Sequence, residues 1–491
     1  MPSTFSTFHI GWRGLFASRM GMDVTAHNVA NAHTEGYSRQ SVKIVASRPY
    51  AVPGLNRPTT PGQIGTGVDV ASINRTKDQF VRNLLQREQS IMGYWETKAR
   101  TYEQIELIFA EPSDTGIAFV LDDFFGSLHD LSRDPQDTAV REVVLQKASV
   151  LADTISHVYT QLKQLYESTT HLVDVKITEL NSIAVEVAEL NKQIAAVVRL
   201  GDNPNDLLDK RDMLIERMSM IADVQVVPLE DELVNISIDG VNLVQRYESR
   251  RIAADIDAET GKVKGLKWEG FGSDIAVKSG ELYALLETNN VIVPKYLSGL
   301  NELARSLAQS MNDLHSAGYD LDGNPGGMLF VDSRTPSAGP VIALDLVDPD
   351  FEVARYIKLN PLLDARQVAA SSQAPDADGP KMGDGSNALA MAKLADATIM
   401  LSGKATLSTF YNGMISELGV ESGQALFMTE TEGAVLDNLR DWDSSISGVS
   451  IDEEVTNLVR YQHSYAAAAR VITVIDEILE LITNRMGLAG R

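Results

Sequence analysis

The sequence predicts an α+β fold: an elongated helical stalk with paired N- and C-terminal coiled-coil helices and an inserted β-rich domain. Three observations lead to this expectation. At both ends of the 491-residue chain, apolar residues recur at alternating steps of three and four, which is the spacing of a coiled-coil seam. A very long helical pattern runs from Asp137 to Leu200, as in an extended bundle. Short alternating stretches punctuated by glycine interrupt the helices twice and are typical of strands.

The composition excludes several classes of function. The chain has no cysteine, which rules out disulfides, thiolate metal sites and cysteine nucleophiles. Its formal charge of −24 argues against nucleic-acid binding, which needs a basic field. No apolar run approaches the roughly 18 residues of a membrane span, so no membrane insertion is expected. The first residues do not resemble a cleaved secretory signal.

The first thirty residues predict a helix with a narrow apolar seam, interrupted only by Arg19. Its members are Phe5, Phe8, Trp12, Leu15, Met22, Ala26 and Val29. The first 50 residues carry five basic and two acidic side chains, so this end differs in charge from the acidic remainder.

The C-terminal seam is uninterrupted and consists of Tyr461, Tyr465, Ala468, Ile472, Ile475, Leu479, Ile482 and Met486. The alanines at 466–469 allow other helices to approach closely. We expect Ile472, Ile475, Leu479 and Ile482 to face neighbouring copies in an assembly rather than a core of the single chain. The alternative is two amphipathic helices that each pack on an ordinary core.

Between the ends, the elements follow in order. Asn31 can end the first helix, and Gly36 is free to adopt a positive φ in the following turn. A strand is expected at 41–45 and an exposed proline-rich loop at 53–67. Helices are expected at 77–109, 117–131, from a cap at Asp134 to about 200, and at 206–220.

The second half alternates in character. Strands are expected at 224–227, 233–244, 251–257 and 262–268, a helix at 281–315, a further strand at 341–346, and helices from 387 onward with a break near Gly419. This pattern predicts three domains: a terminal assembly domain (1–45 plus 450–491), a long-helix bundle (46–222 plus 276–327 plus 386–449) and a β-rich insertion (223–275 plus 328–385).

No motif for catalysis or cofactor binding is found. The eight histidines lack the HExxH and H-x-x-x-H spacings, so no metal site is expected from them. The segment from Asp320 to Gly326 begins like a calcium loop, but Pro325 and Val331 stand where glycine and glutamate belong. An Asx- and Gly-rich turn is the favoured interpretation. We therefore expect no catalytic residue, cofactor or metal.

Several stretches resemble known proteins. The run from Asn28 to Gln40, with Asn31, Thr34, Gly36, Tyr37 and Arg39, resembles the N-terminal signature of the axial proteins of the bacterial flagellum. Three further segments resemble the hook-associated family at the hook–filament junction. They are 204–214 (PNDLLDKRDML), 314–327 (LHSAGYDLDGNPGG) and the C-terminal motif at 447–462, which includes Leu458 and Tyr461.

This resemblance implies a structural adaptor that joins hook to filament and is required for filament assembly. The implied partners are further copies in a ring, the hook protein, the second junction protein, an export chaperone and the type III export apparatus. The implied location is the extracellular flagellum, reached without a cleaved signal. The alternatives are another axial protein, such as a hook or rod component or the second junction protein, and an enzyme with its site in the β-rich part.

Overall fold

The computed structural model describes residues 5–49, 65–257, 262–270, 272–336, 339–377 and 379–485. Within these residues the helices are α1 (Ser6–Ala30), α2 (Gln79–Phe109), α3 (Ile117–Arg133), α4 (Thr138–Arg199), α5 (Asn205–Ile221), α6 (Glu281–Glu287), α7 (Val293–Ala317), α8 (Val353–Tyr356), α9 (Ser386–Ala392), α10 (Leu407–Ser447) and α11 (Ile451–Arg485). A π-helical turn (Thr288–Ile292) joins α6 to α7. No helix among these residues combines the length and apolar character needed to cross a membrane.

The strands form four small antiparallel sheets. They are β1 (Gln40–Ala46), β2 (Val68–Arg75), β3 (Gln225–Pro228), β4 (Val234–Ile238), β5 (Val241–Gln245), β6 (Glu248–Ser249), β7 (Ile252–Ile256), β8 (Val263–Trp268), β9 (Asp274–Ile275), β10 (Phe330–Asp332) and β11 (Ile357–Leu359). The sheets are the hairpin β1–β2, the meander β3–β4–β5–β6, the meander β7–β8–β9 and the pair β10–β11. The fold is thus α+β, as the sequence predicts.

Most predicted elements are present, with small shifts at their ends. Helix α4 begins after Asp137, whose side chain accepts a hydrogen bond of 2.8 Å from the backbone N–H of Ala139. The expected cap at Asp134 is therefore wrong by about one turn. Strand β2 was not predicted. The expected proline-rich loop at 53–67 lies, apart from 65–67, outside the described residues.

Helix α4 passes through two hydrophobic cores. Its first half, up to Tyr166, packs with α3, α7, the start of α10 and the end of α2. Its second half, from Val173, packs with α5, α6 and the strands β3–β5 and β7–β9. The two cores are therefore threaded on a single continuous helix.

The segments 223–275 and 328–385, expected to share one β-rich domain, pack against different halves of α4. Side chains of 223–275 are buried with the second half of α4, whereas Leu329, Phe330 and Val353 are buried with its first half. The strand expected at 341–346 is also wrong. Ile342 donates its backbone N–H to Thr335 Oγ1 (3.0 Å) and its carbonyl accepts from Asp332 (3.0 Å), and no ladder of strand bonds continues from there in the described residues.

Helices α2 and α10 lie side by side in opposite directions. Phe80 contacts Trp442 at one end of the pair, and Phe109 contacts Tyr411 at the other. The break expected near Gly419 is wrong, because α10 continues through it to Ser447. A glycine inside a helix costs only about 1 kcal/mol, and the contacts of α10 with α2 offset that cost.

Helix α1 packs along α11, so the two ends of the chain are paired. The hairpin β1–β2 lies along α1. Its base is near Asn28, which bonds to Gln40, and its far end is near Arg13, which forms an ion pair of 2.9 Å with Asp69.

Candidate functional site

The flagellar-type signature forms a tight loop after α1. Asn31 ends the helix with φ at −104°, which is not the left-handed conformation. Its Nδ2 donates instead to His27 O (3.0 Å), and its Oδ1 accepts from Thr34 Oγ1 (3.2 Å). Gly36 has the expected positive φ, at 75°, and a Cβ atom there would lie 2.4 Å from Met213. Only glycine therefore fits where this loop meets α5.

Asn28 is the centre of a buried hydrogen-bond network. Its Nδ2 donates to Gln40 O (2.9 Å) and to Glu454 Oε2 (3.0 Å). Its Oδ1 accepts from the backbone N–H of Gln40 (3.0 Å) and from the Tyr37 hydroxyl (2.8 Å). Two donors and two accepting positions are all that an amide side chain offers. Asn28 therefore fixes α1, β1 and α11 relative to one another.

Arg39 reinforces this junction by pairing with the first turn of α11. Its guanidinium donates to Glu454 Oε1 from Nε at 2.9 Å and lies 2.8 Å from it at Nη2. A further contact of 3.0 Å joins it to Glu453. Glu454 is only 2% exposed, so its charge depends on these partners. Removing one partner of a buried ion pair is strongly destabilising.

Helix α5 closes the other side of the junction. Asp206 accepts from Gln40 Nε2 (2.8 Å), and Asp209 accepts from the backbone N–H of Ser38 (3.0 Å). Burial raises the pKa of Tyr37, and the nearby carboxylates of Asp206, Asp209 and Glu454 raise it further. The phenol therefore keeps its proton and acts as a hydrogen-bond donor.

A cluster of charges then connects β2 to α5. Arg75 Nη1 donates to Asp209 (2.6 Å) and to Asp212 (3.0 Å), and Lys77 pairs with Asp212. Burial alone would raise the pKa of Asp212, but the charges of Lys77 and Arg75 outweigh it and lower that pKa. This cluster connects the terminal helices, through the hairpin, to the core containing α5.

The contact between α1 and α11 uses a stripe of small residues rather than the predicted seam of α1. The stripe consists of Gly11, Gly14, Ser18, Gly21, Thr25 and Asn28, at the same steps of three and four. A Cβ atom on Gly21 would lie 2.5 Å from the Tyr461 ring, and one on Gly11 would lie 3.1 Å from Ile472. At Gly21 the helices therefore approach so closely that a larger side chain does not fit without displacing the Tyr461 ring.

The predicted C-terminal seam faces α1 of the same chain. Ile475 is 8% exposed, and Leu458, Tyr461, Tyr465, Ile472 and Leu479 are half-buried. The expectation that Ile475 waits for a neighbouring copy is therefore wrong for the single chain. Gly11 and Gly21 of α1 approach Ile472 and Tyr461 of this seam, so α1 of the same chain already packs against it. Ile482 remains exposed.

The predicted seam of α1 is in contrast turned outward. Phe5, Trp12 and Val29 are exposed, and Phe8, Leu15 and Met22 are half-buried. Trp12 stacks on Phe16, which is also exposed, with ring centroids 5.8 Å apart. Helix α11 has a second apolar stripe that is likewise exposed: Val471, Val474, Ile478 and Leu481. Both helices thus present an apolar outer face.

The calcium-like segment is a closed turn. Asp320 Oδ1 accepts from the backbone N–H groups of Asp322 and Asn324, at 2.8 Å each. Arg366 pairs with Asp322. These oxygens are engaged within the loop, as the Asx-turn interpretation expects. Among the described residues, no group of three or more histidine or carboxylate side chains is placed to hold a metal ion.

Comparisons with known proteins agree with this architecture. The profile of the flagellar hook-associated protein FlgK helical domain matches residues 102–330. The profile of the flagellar basal body rod FlgEFG protein C-terminal region matches residues 444–485. In fold, the chain is similar to the flagellar hook junction protein FlgK from Burkholderia pseudomallei, with a TM-score of 0.62, 17% identity, and coverage of 74% of this chain and 100% of that one.

Full-length relatives give the family. Flagellar hook-associated protein 1 of Bacillus subtilis (strain 168) is 30% identical over 531 residues, covering 100% of both chains. The protein of the same name from Escherichia coli (strain K12) is 24% identical, covering 96% of this chain and 98% of that protein. The chain therefore belongs to the flagellar hook-associated protein 1 family and is a structural component of the bacterial flagellum.

Proposed function

We propose that copies of this chain form a ring that joins the hook to the filament and on which the filament assembles. The observation that carries this proposal is the apolar outer face of the paired terminal helices. Helices α1 and α11 cover one face of each other, yet Trp12, Phe16, Val474 and Ile478 remain exposed. Apolar surface of this kind marks sites of protein–protein contact. Neighbouring subunits would bury it.

The assembly interface we propose differs from the one expected from sequence. We keep Phe5, Phe8, Trp12, Leu15, Met22, Val29 and Ile482, and we add Phe16, Val471, Val474, Ile478 and Leu481. Leu458, Tyr461, Tyr465, Ile472, Ile475 and Leu479 serve instead to pair the two helices. Asn28, Asn31, Gly36, Tyr37 and Arg39 act as positioning residues that fix the angle at which this pair leaves the rest of the chain.

We also propose three structural units. A terminal unit comprises α1, β1, β2 and α11. A second unit is built on the core around the first half of α4, and a third on the core around its second half with β3–β9. The two cores support this division, and the charged cluster of Arg75, Lys77 and Asp212 connects the first unit to the third.

The proposed partners are the hook protein on one side and the second junction protein on the other. Before assembly, a chaperone and the type III export apparatus would handle the chain. We assign no catalysis, because the polar side chains of the junction are engaged in structural hydrogen bonds. The formal charge of −24 supports the absence of nucleic acid among the partners.

A second candidate is another axial protein of the hook or rod. The match of residues 444–485 to the rod-protein C-terminal profile favours it, because that profile describes basal body rod proteins. The two candidates differ in where assembly stops when the protein is missing.

The test is deletion of the gene and electron microscopy of the flagella. The proposal expects complete hooks without filaments, and flagellin released into the medium. Absence of hooks would favour a rod or hook component. Complementation with Val474→Asp combined with Ile478→Asp should not restore filaments. Thr473→Asp, an exposed position beside the stripe, is the matched control and should restore them. Filaments from the double variant would contradict the proposed interface.

A further inference from the structure

A groove of about 860 Å³ lies where α2, α5 and α10 meet the signature loop. Its floor is apolar and consists of Met92, Met213, Met220 and Leu436. Methionine side chains adapt their shape to different partners and are enriched at protein interfaces. Gly36 forms one wall by lying directly on Met213. The groove is thus a preformed apolar site beside the junction.

The rim of the groove is predominantly acidic. Four carboxylates line it, Glu35, Glu96, Glu216 and Asp437, against the two arginines Arg217 and Arg440. Both arginines are already paired. Arg217 contacts Glu179 at 2.6 Å, and Arg440 lies 3.5 Å from Asp437. Along the same pair of helices, burial and the neighbouring Glu88 raise the pKa of Glu432. Three of the four carboxylates are also paired, Glu216 with Arg82, Glu96 with Arg100 and Asp437 with Arg440. Glu35 is the rim carboxylate without an ion pair among the described residues, and it offers a negative charge to a basic side chain.

The groove also contains an unused hydrogen-bond acceptor. The Oε1 atom of Gln89 is buried and has no hydrogen-bond partner among the described residues, and Gln89 lines the groove. A buried polar atom without a partner costs free energy. The Oε1 atom is closed off from the groove itself, so an occupant would have to shift the Gln89 side chain before it could donate a hydrogen bond to it.

The hairpin β1–β2 has the complementary surface. Ile44 and Val45 are exposed at 40% and 39%, and Lys43 and Arg48 beside them are also exposed. Of the four basic residues between Gly36 and Val68, Arg39 is already paired with Glu453 and Glu454 and Arg57 lies outside the described residues. Lys43 and Arg48 are therefore the basic side chains that this surface offers. An apolar and basic hairpin matches an apolar groove with an acidic rim.

The hairpin cannot reach the groove of its own chain. Gln40 lies at the end of α1 near Asn28, whereas Asp69, the partner of Val45 in the ladder, pairs with Arg13. The hairpin therefore runs back along α1, away from Gly36 and the groove. Five residues of strand separate Val45 from Gln40, or about 16 Å at roughly 3.3 Å per residue. An occupant with this surface must come from another molecule.

We propose that the β1–β2 hairpin of one copy docks in this groove of the next copy around the ring. The inference rests on the proposed function, because it needs several copies in one assembly. The contact is heterologous: two different surfaces meet, and repetition of the same rotation closes a ring. It also places the next copy against the signature loop.

Because the chain contains no cysteine, any disulfide within or between its copies must form between introduced cysteines. A strain without the gene is complemented with a chain carrying Val45→Cys and Met213→Cys, and its flagella are isolated and oxidised. The pair is too far apart within one chain for a disulfide, which needs Cα atoms within about 7 Å. The expected result is a ladder of multimers on a non-reducing gel, and only dimers from a mixture of the two single variants. A second pair, Ile44→Cys with Arg440→Cys, samples the rim.

A second, independent test of the docking fills the groove with a large side chain. A Cβ atom on Gly433, which lines the groove, would meet open space, and so would one on Gly423 in the same helix. Gly433→Trp should abolish the ladder, and Gly423→Trp should leave it intact. Filament growth, scored on the same cells, tests the proposed function separately. Filaments without a ladder from either pair overturn the docking and leave the junction role standing. A ladder that survives Gly433→Trp, or cross-links to a different protein, also overturns it.

Discussion

Asn28 Nδ2 donates a hydrogen bond of 3.0 Å to Glu454 Oε2, across 426 positions of sequence. This bond joins the end of α1 to the first turn of α11, at the point where β1 begins. Because Glu454 also pairs with Arg39, one carboxylate fixes both terminal helices and the hairpin. The docking of the terminal pair therefore depends on a few buried polar contacts as well as on the small-residue stripe.

The first prediction concerns Glu454. In Glu454→Gln the amide oxygen can still accept one hydrogen bond. The amide NH2 group, however, faces either Asn28 or Arg39, and both of these side chains are donors. Hydrogen bonds to charged groups contribute about 1.5–3 kcal/mol each, so the docked pair should lose a few kcal/mol. Amide exchange should show faster opening of 6–30 and 451–485, with the core around α4 unchanged. The control is Asp452→Asn, an exposed neighbour. Equal protection in both variants would contradict the network.

The second prediction separates the two faces of α11. Ile475 is buried at 8% exposure and Val474 is 52% exposed. Ile475→Asp places an unpaired charge between the helices and should cost several kcal/mol of docking, visible as lost amide protection in α1 and α11 of the isolated chain. Val474→Asp should change that protection by less than about 0.5 kcal/mol. If Val474→Asp loosens the pair as much as Ile475→Asp does, the assigned faces are wrong.

The third prediction compares two glycines of the small-residue stripe. A Cβ atom on Gly21 would lie 2.5 Å from the Tyr461 ring, whereas one on Gly14 would lie 3.6 Å from the Ala468 Cβ atom. Gly21→Ala should therefore destabilise the pair by about 1–3 kcal/mol through overpacking. Gly14→Ala should stabilise it by up to about 1 kcal/mol, through helix propensity. Thermal melting of α1 and α11 followed by NMR would measure both, and an unchanged Gly21→Ala variant would refute the close approach.

The fourth prediction is a pH dependence at Asp212. Its pKa in the folded chain is lowered below the ordinary value of 3.8, because Lys77 and Arg75 outweigh the effect of burial. A carboxyl group whose pKa is lowered by folding adds stability above its unfolded pKa, and this stability is lost as the pH falls through the folded pKa. Asp212→Asn should therefore be less stable at neutral pH.

The same variant should lose less stability than the wild type on acidification below about 3.8. Denaturant unfolding across this pH range provides the measurement. Asp202→Asn, at an exposed position before α5, is the control and should follow the wild-type curve. Parallel curves for Asp212→Asn and wild type would show that Asp212 does not titrate in this way.

The sequence predicted the long helices well, because each depends on local periodicity and caps. It located α4, α5 and the strands β3–β5, β7 and β8 to within a few residues, and it identified the pairing of the two ends. It also located Gly36, where a positive φ leaves glycine as the natural choice. Each of these features depends on residues that are close together in the sequence.

It failed where long-range packing decides. The α1 seam was chosen by its large apolar residues, yet the contact with α11 uses Gly11, Gly14 and Gly21. The small residues of α1 repeat at the same heptad spacing, and this repeat is a sequence signal for a close helix–helix contact. The ion pairs of Arg75 with Asp209 and Asp212 carry no local signal, because they join residues more than 130 positions apart. The alternation of apolar and polar residues at 341–346 wrongly predicts a strand, because no partner strand lies beside this segment in the described residues.

The 62 residues of α4, about 93 Å at a rise of 1.5 Å per residue, make it a lever between the two cores. Only about 10 Å of helix separates Tyr166, in the first core, from Val173, in the second. Changing the angle between the cores would require breaking hydrogen bonds in that short stretch. A rotating flagellum loads its parts in torsion, and this helix would carry such a load stiffly. The two cores would therefore turn as one body, and the ion pairs of Arg75 with Asp209 and Asp212 would pass the same load to the terminal pair.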